Sequence, residues 1–274
     1  MLSSITFRVL FFLTIVAGLS SPAAGQFPKA IEDNSFFLEE AYDQERGIVQ
    51  HISTGVLFRK PQRDFKFSLT QEWPLFGPTH QISYTLPYSF LNSNMHRGIG
   101  DIGVHYRYQL LSGEEWAAIA PRLSFSIPVG DEEHGLGSGV AGWEFNLPVS
   151  RRLSEQFVGH ANAGATLLPG IMKKIGQGNE VTRTLLLYFA GASIIWLAKP
   201  ELNVMLEYLV SNTADMDAAG DIVRSTEHFI IPGFRYALDV GDLQIVPGLA
   251  FPVAVSKELT RSGVFFYLSF EHPF

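Results

Sequence analysis

Apolar and polar residues alternate with a period of two along several stretches of this chain. Between 101 and 110, apolar and aromatic side chains occupy the even positions, whereas the odd positions include His105, Arg107 and Gln109. Residues 81–90 and 143–150 repeat the pattern. A β-strand points successive side chains to opposite faces, so each segment predicts a strand with one apolar and one polar face.

Read in this way, the whole chain predicts an all-β fold, a transmembrane antiparallel up-and-down β-barrel of about twelve strands. An even number of strands is the rule for single-chain bacterial barrels. The predicted strands cover residues 47–59, 64–76, 80–92, 98–112, 116–130, 142–154, 156–170, 182–199, 202–212, 225–239, 243–257 and 261–274.

The connections between these strands form a second, independent pattern. Short turns rich in glycine, proline and acidic residues alternate with longer loops, as in barrels with short periplasmic turns and longer outer loops. The long loops are predicted at 92–97, 131–141, 171–181 and 211–224. With both termini in the periplasm, every long loop faces outward.

Residues 185–198 are apolar on both faces except at Ser193, so periodicity alone cannot separate a strand from a helix there. A soluble sandwich or lipocalin-like barrel could also alternate. Its aromatic side chains would mostly be buried, whereas here aromatics make up 13% of the chain and recur near strand ends like interfacial girdles. This distribution favours a membrane barrel.

The chain begins with the elements of a secretory signal peptide. A short basic start ending at Arg8 precedes an apolar run over 9–19 and a small-residue site at Ala23-Ala24-Gly25. The alternative of a membrane anchor is disfavoured because a spanning helix needs about 20 apolar residues. We therefore predict a signal peptide over 1–25, a periplasmic segment or plug over 26–46, and an outer-membrane β-barrel over 47–274.

Composition narrows the functional classes. The formal net charge is −7, so the chain offers no basic surface to nucleic acid, and the absence of cysteine excludes disulfides and thiolate metal sites. The last strand keeps an apolar face up to Phe274, which resembles the terminal assembly signal of outer-membrane barrels. We expect a bacterial outer-membrane location, with outer-membrane lipids, lipopolysaccharide and the barrel assembly machinery as partners.

Two stretches resemble a known family. They are Phe36-Phe-Leu-Glu-Glu-Ala-Tyr-Asp-Gln-Glu-Arg-Gly-Ile-Val-Gln-His51, and Ile127-Pro-Val-Gly-Asp-Glu-Glu-His-Gly-Leu-Gly-Ser-Gly139 followed by Trp143-Glu-Phe-Asn-Leu147. Both are similar to outer-membrane proteins grouped with the phenol-degradation MetA-pathway family. The resemblance implies the location and the fold, together with transport of hydrophobic or aromatic compounds.

Charged residues on the polar parity are the candidate functional residues. A charge facing lipid at mid-bilayer costs roughly 2–4 kcal/mol, so these groups should line the lumen. They either set the selectivity of a pathway or only fill a closed interior. The set is Lys66, Glu72, His105, Arg107, Arg122, Glu144, Glu207, Arg235 and Glu271.

Other motifs predict no chemistry. Gly98-Ile-Gly100-Asp-Ile-Gly103 precedes a strand rather than a helix, which excludes dinucleotide binding, and the acidic stretches 131–134 and 215–221 are interpreted as solvated loops rather than metal sites. The one hint of a lipid hydrolase is His51-Ile52-Ser53, whose spacing puts both side chains on one strand face. No G-x-S-x-G elbow occurs.

The function predicted from the sequence is a channel or transport-related barrel for passive passage of small, hydrophobic or aromatic molecules, without enzymatic activity, cofactor or metal. A structural or adhesion-type barrel with a filled lumen is the main alternative. An outer-membrane lipid hydrolase is the third.

Overall fold

The computed structural model describes residues 35–59, 63–92, 95–113, 116–175, 179–241, 243–255 and 261–274, and these residues form strands, turns and loops but no helix. None of them therefore lies in a helix that is long and apolar enough to cross a membrane. The predicted signal peptide over 1–25 and the first part of the segment 26–46 lie outside the described residues.

The strands have the following bounds: β1 Ile48–Phe58, β2 Phe65–Pro74, β3 His80–Leu91, β4 His96–Ile99, β5 Ile102–Tyr108, β6 Leu111–Ser112, β7 Ala118–Ile119, β8 Arg122–Ile127, β9 Gly142–Arg152, β10 Phe157–Ile175, β11 Asn179–Lys199, β12 Leu202–Met216, β13 Ile222–Tyr236, β14 Leu238–Val240, β15 Leu243–Ala250, β16 Val253–Ala254 and β17 Gly263–Pro273.

These strands make one closed antiparallel barrel of twelve strands, as the alternation predicted. Seventeen labelled strands give twelve barrel strands because some barrel strands are interrupted. The pieces of one barrel strand are β4 with β5 and β6, β7 with β8, β13 with β14, and β15 with β16. Each barrel strand pairs with the next along the chain, and β17 pairs with β1 from Ile48↔Pro273 to Phe58↔Gly263. The closure pairs the first and last strands of the sheet with each other, as a barrel in lipid requires.

The segment whose periodicity was ambiguous is a strand. Residues 185–198 lie within β11, which pairs with β10 on one side and β12 on the other. Ile195 on its inward face is almost completely buried, whereas Ile194 and Trp196 on its outward face are exposed. Both faces are apolar because the inner face also packs against apolar groups inside the barrel.

Two of the predicted long loops are wrong. β10 and β11 pair as far as Ile175↔Asn179, and β12 and β13 as far as Met216↔Ile222. Most of 171–181 and 211–224 is therefore ladder rather than loop. These segments contain polar side chains but are still strands, because the hydrogen bonds of a hairpin are made by the backbone. The hairpins therefore continue beyond the apolar part of the wall.

The outward face of the wall is apolar all round the barrel. Exposed large side chains recur at every second position of neighbouring strands, as at Val204, Leu206 and Tyr208 of β12. The intervening positions, Met205 and Glu207, are buried. The barrel therefore turns its apolar parity outward and its polar parity inward.

The core lies inside the barrel and includes residues from the segment before β1. Phe36 belongs to a cluster of buried apolar side chains with Ile231, Val246 and Phe265 from the walls. Ala41 belongs to a smaller cluster with Ala118 and Ala120. Residues 35–47, called the inner segment below, thus lie against the inner wall.

We predict that charge on the outward face destabilises the barrel in proportion to its depth in a bilayer. Leu206→Arg, near the middle of β12, should lower the free energy of unfolding by roughly 2–4 kcal/mol, whereas Leu238→Arg, near a strand end, should lower it by about 0–1 kcal/mol. The measurement is urea unfolding in phospholipid vesicles. Equal effects of the two substitutions would show that this face does not meet hydrocarbon.

Candidate functional site

The inner segment is held first by the carboxylate of Glu207 on β12. The backbone N–H of Phe36 donates to Oε1 at 2.6 Å, and those of Phe37 and Leu38 donate to Oε2 at 2.9 and 3.2 Å. Glu207 is fully buried. An irregular segment lacks the ladder partners of a strand, so a buried carboxylate that accepts consecutive N–H groups supplies what its backbone needs.

Wall side chains bind the rest of the segment in the same way. The N–H of Glu39 donates to Asn162 on β10 at 2.9 Å, and that of Ala41 donates to Ser150 on β9 at 2.7 Å. Further along, the N–H of Gln44 donates to Gln81 on β3 at 2.7 Å. The polar residues of the inner face therefore act as backbone acceptors for one specific path of the chain.

The ring of Phe36 occupies space left by glycines in the wall. A Cβ atom at Gly233 would lie 2.4 Å from the ring, and one at Gly248 would lie 2.8 Å from it. On its other side the ring contacts Phe265 and Tyr267, with centroids 5.5 and 5.8 Å apart. Inward glycines of β13 and β15 thus accommodate an aromatic side chain of the inner segment.

Two arginines meet in the opposite part of the wall. Arg107 on β5 and Arg122 on β8 are direct cross-strand partners, an arrangement in which like charges repel. Glu39 of the inner segment forms an ion pair with each of them, 3.0 Å from Arg107 Nη2. Arg122 is also paired with Glu144 at 2.6 Å. The inner segment therefore supplies the carboxylate that lies between two adjacent guanidinium groups.

All nine charges singled out from the sequence lie on the inward parity of their strands, but they do not form one cluster. Arg107, Arg122 and Glu144 come together around Glu39. His105 bonds to Thr85 and Ser124 across the same strands, at 3.1 and 2.8 Å. The other positions are spread around the wall. Glu72 on β2 and Arg235 on β13 are buried, and Lys66 lies near the first residue of β2. Glu207 binds residues 36–38, and Glu271 accepts a hydrogen bond from Gln44.

Sequence analysis missed Glu39 as a member of this site. The sequence predicts a periplasmic segment or plug over 26–46 but assigns no wall partner to its residues. The alternation along a strand shows which charged side chains face inward, but not which residue outside the strands forms ion pairs with them. The only signal was that the run Phe36-Phe37-Leu38 is followed directly by Glu39-Glu40, which matches an inner wall with an apolar and a charged part.

The glycine-rich loop over 128–141 folds onto the inner face of β4 and β5. A Cβ at Gly100 would lie 3.0 Å from the carbonyl oxygen of Leu136, so glycine permits this close approach. Asp101 fastens the loop by accepting the N–H of Gly130 at 3.0 Å and both the N–H and the hydroxyl of Ser138, at 2.7 and 2.6 Å. The Gly-x-Gly-x-x-Gly motif therefore serves loop packing.

The predicted acidic loops bind their own residues. Asp131 bonds to the ring of His134 at 2.6 Å, and this bond, only partly opposed by desolvation, lowers the pKa of Asp131. Asp217 accepts the N–H groups of Ala219 and Asp221 in the turn between β12 and β13. Among the residues that the structure describes, no group of three or more His, Asp or Glu side chains could hold a metal ion.

The His51-x-Ser53 pair shows a different arrangement from a nucleophile with its base. The Nδ1 of His51 lies 2.8 Å from the amide nitrogen of Gln71, and the ring stacks on Phe270 with centroids 4.6 Å apart. Within the described ranges, no hydrogen bond joins His51 to Ser53. The ring is thus engaged by the neighbouring strands.

Solved structures with a similar fold are outer-membrane channels. The COG4313 outer membrane channel from Pseudomonas putida F1 superposes with a TM-score of 0.66 and 11% identity, over 85% of this chain and 98% of that one. The NanC porin superposes with a TM-score of 0.54 and 6% identity, over 82% and 100% of the two chains. At such identities the likeness shows a porin-like outer-membrane barrel fold and nothing finer. No family profile matches the sequence, and none of the curated proteins does.

We predict that Glu39 stabilises the barrel through the two arginines. Glu39→Gln should lower the free energy of unfolding by about 3 kcal/mol, because it removes the carboxylate that pairs with both adjacent guanidinium groups in a largely buried place. Glu45→Gln, an exposed position of the same segment, is the matched control and should have little effect.

Adding Arg107→Gln to Glu39→Gln should recover part of the loss, because it removes the repulsion between the arginines. Unfolding in urea, monitored by fluorescence, measures these three variants and Arg107→Gln alone. If the loss were equal for Glu39 and Glu45, or additive with Arg107→Gln, Glu39 would have no bridging role.

Proposed function

We propose that this protein is an outer-membrane channel for passive passage of small molecules, and that the inner segment is a plug that closes it at rest. The observation that carries the proposal is the occupied interior. A barrel that only had to be rigid could fill its lumen with wall side chains, as small barrels do. Here the lumen is filled by an irregular segment held through hydrogen bonds and ion pairs, which can be released without unfolding the wall.

The two parts of the inner wall indicate which molecules would pass once the plug moves. Residues around Phe36 and Phe37, such as Ile195, Ile231 and Phe265, present an apolar surface. The opposite part carries Arg107, Arg122 and their carboxylates. Such a passage suits small molecules with an apolar or aromatic body, in agreement with the resemblance to the phenol-degradation MetA-pathway proteins. The lumen charges would tune selectivity, and the proposal includes no catalytic step.

Location and assembly belong to the same proposal. The outward apolar face is suited to lipid, with lipopolysaccharide on the outer side, and the fold is that of bacterial outer-membrane proteins. Phe274 directly follows β17, and the centroid of its ring lies 5.3 Å from that of Trp73. We propose that this terminal aromatic residue is read by the barrel assembly machinery.

Single-channel conductance in planar bilayers tests the channel and the plug together. The protein should conduct poorly, and Glu39→Gln with Glu207→Gln should raise the conductance or the open probability several-fold, because both anchors of the plug lose their charge. Glu45→Gln with Glu155→Gln, both exposed, is the control and should behave like the unchanged protein.

A gel-mobility shift on boiling verifies that each variant is folded, because a closed barrel resists detergent. Equal conductance of the two double variants would refute the plug. Silence of every folded variant would refute the channel and favour a structural barrel.

A further inference from the structure

A cavity of about 300 Å³ lies near the outer ends of β1, β2 and β3. Cross-strand neighbours form its wall, because Val56 is opposite Lys66 and Lys66 is opposite Ser89. Leu136 of the inward-folded loop and Asp101 also line it. It is therefore bounded by the barrel wall on one side and by the loop over 128–141 on the other.

Lys66 is the group in this cavity that is available to a ligand. Its ammonium group has no hydrogen bond or ion pair with any residue that the structure describes, whereas most of the other polar groups form hydrogen bonds within the protein. The carboxylate of Asp101 accepts from Gly130 and twice from Ser138, and the hydroxyls of Thr54 and Ser68 bond to each other at 2.6 Å. Apart from hydroxyl groups, the free donors in the cavity are the N–H groups of a cation.

The remaining lining is apolar or carries only a small hydroxyl. Val56, Phe67, Pro87 and Leu136 contribute surface without charge. Binding pockets for small molecules combine mostly apolar walls with a few polar groups that fix orientation, and 300 Å³ is at the small end of their range. A ligand that fits has a compact apolar body and one group that accepts hydrogen bonds from an ammonium.

We propose that this cavity binds a small organic carboxylate with an apolar body, such as a single-ring aromatic acid, with its carboxylate on Lys66. The loop over 128–141 shapes the site, because Asp101 binds Gly130 and Ser138 on either side of Leu136. The inference rests on the proposed function only where the ligand is taken to be a solute on its way through the barrel. Binding itself requires no transport.

Titration calorimetry of the full-length protein with benzoate tests the site, and the uncharged isostere benzamide is the matched ligand. Benzoate should bind at least tenfold more tightly than benzamide, because a charge-assisted hydrogen bond is lost with the amide. Lys66→Gln should remove this preference and Lys66→Arg should keep most of it. Lys199 is an exposed lysine at the last position of β11, outside the cavity. Lys199→Gln should therefore bind benzoate as the unchanged protein does.

Equal binding of benzoate and benzamide, or equal loss in the Lys66 and Lys199 variants, would overturn the proposal. Conductance of the same preparations separates it from the channel. Conductance without a Lys66-dependent preference for benzoate would overturn the site and leave the channel intact. Lys66-dependent binding in a folded barrel whose plug-released variants never conduct would support the site and overturn the channel.

Discussion

Two arginines on neighbouring strands face each other across the ladder, and a carboxylate from outside the wall pairs with both of them. Arg107 and Arg122 are cross-strand partners, and Glu39 pairs with both. Glu144 compensates Arg122 alone. Without Glu39 the barrel would enclose a strong, partly desolvated repulsion. The charge pattern of the wall therefore favours the inner segment in the position where Glu39 meets both arginines.

The rest of the segment follows from that anchor. Three residues before Glu39, Phe36 meets the apolar part of the wall, and Glu207 binds the backbone between them. Five residues after it, Gln44 bonds to Gln81 before β1 begins. The segment is apolar around Phe36 and charged at Glu39. The lumen likewise has an apolar side and, opposite it, a charged side. The two match in the observed register, and these contacts give an irregular chain a defined path inside the barrel.

Alternation predicted the wall well because lipid imposes a strict requirement on every second residue. That requirement ends where the strands leave the apolar band, so the paired extensions up to Ile175 and Met216 were mistaken for loops. The alternation also predicted that the nine charged side chains face inward, but it could not predict which groups they bind. Glu39 lies outside any strand, and the roles of Asn162 and Ser150 as acceptors for its segment depend on a three-dimensional path that has no period in the sequence. The covering loop was likewise hidden, because it depends on the close approach of Leu136 to Gly100.

The chain has no cysteine, so a single engineered disulfide can test directly whether displacement of the inner segment controls passage. The hydroxyl oxygens of Ser35 and Ser193 on β11 lie 2.5 Å apart, which makes Ser35→Cys with Ser193→Cys a suitable pair. Its ion conductance would be recorded in one bilayer before and after a reductant is added. The account predicts that the oxidised protein is closed and that reduction restores the conductance of the unchanged protein. A disulfide-linked protein that conducts as well as the reduced one would contradict the account, because passage would then not depend on movement of the segment.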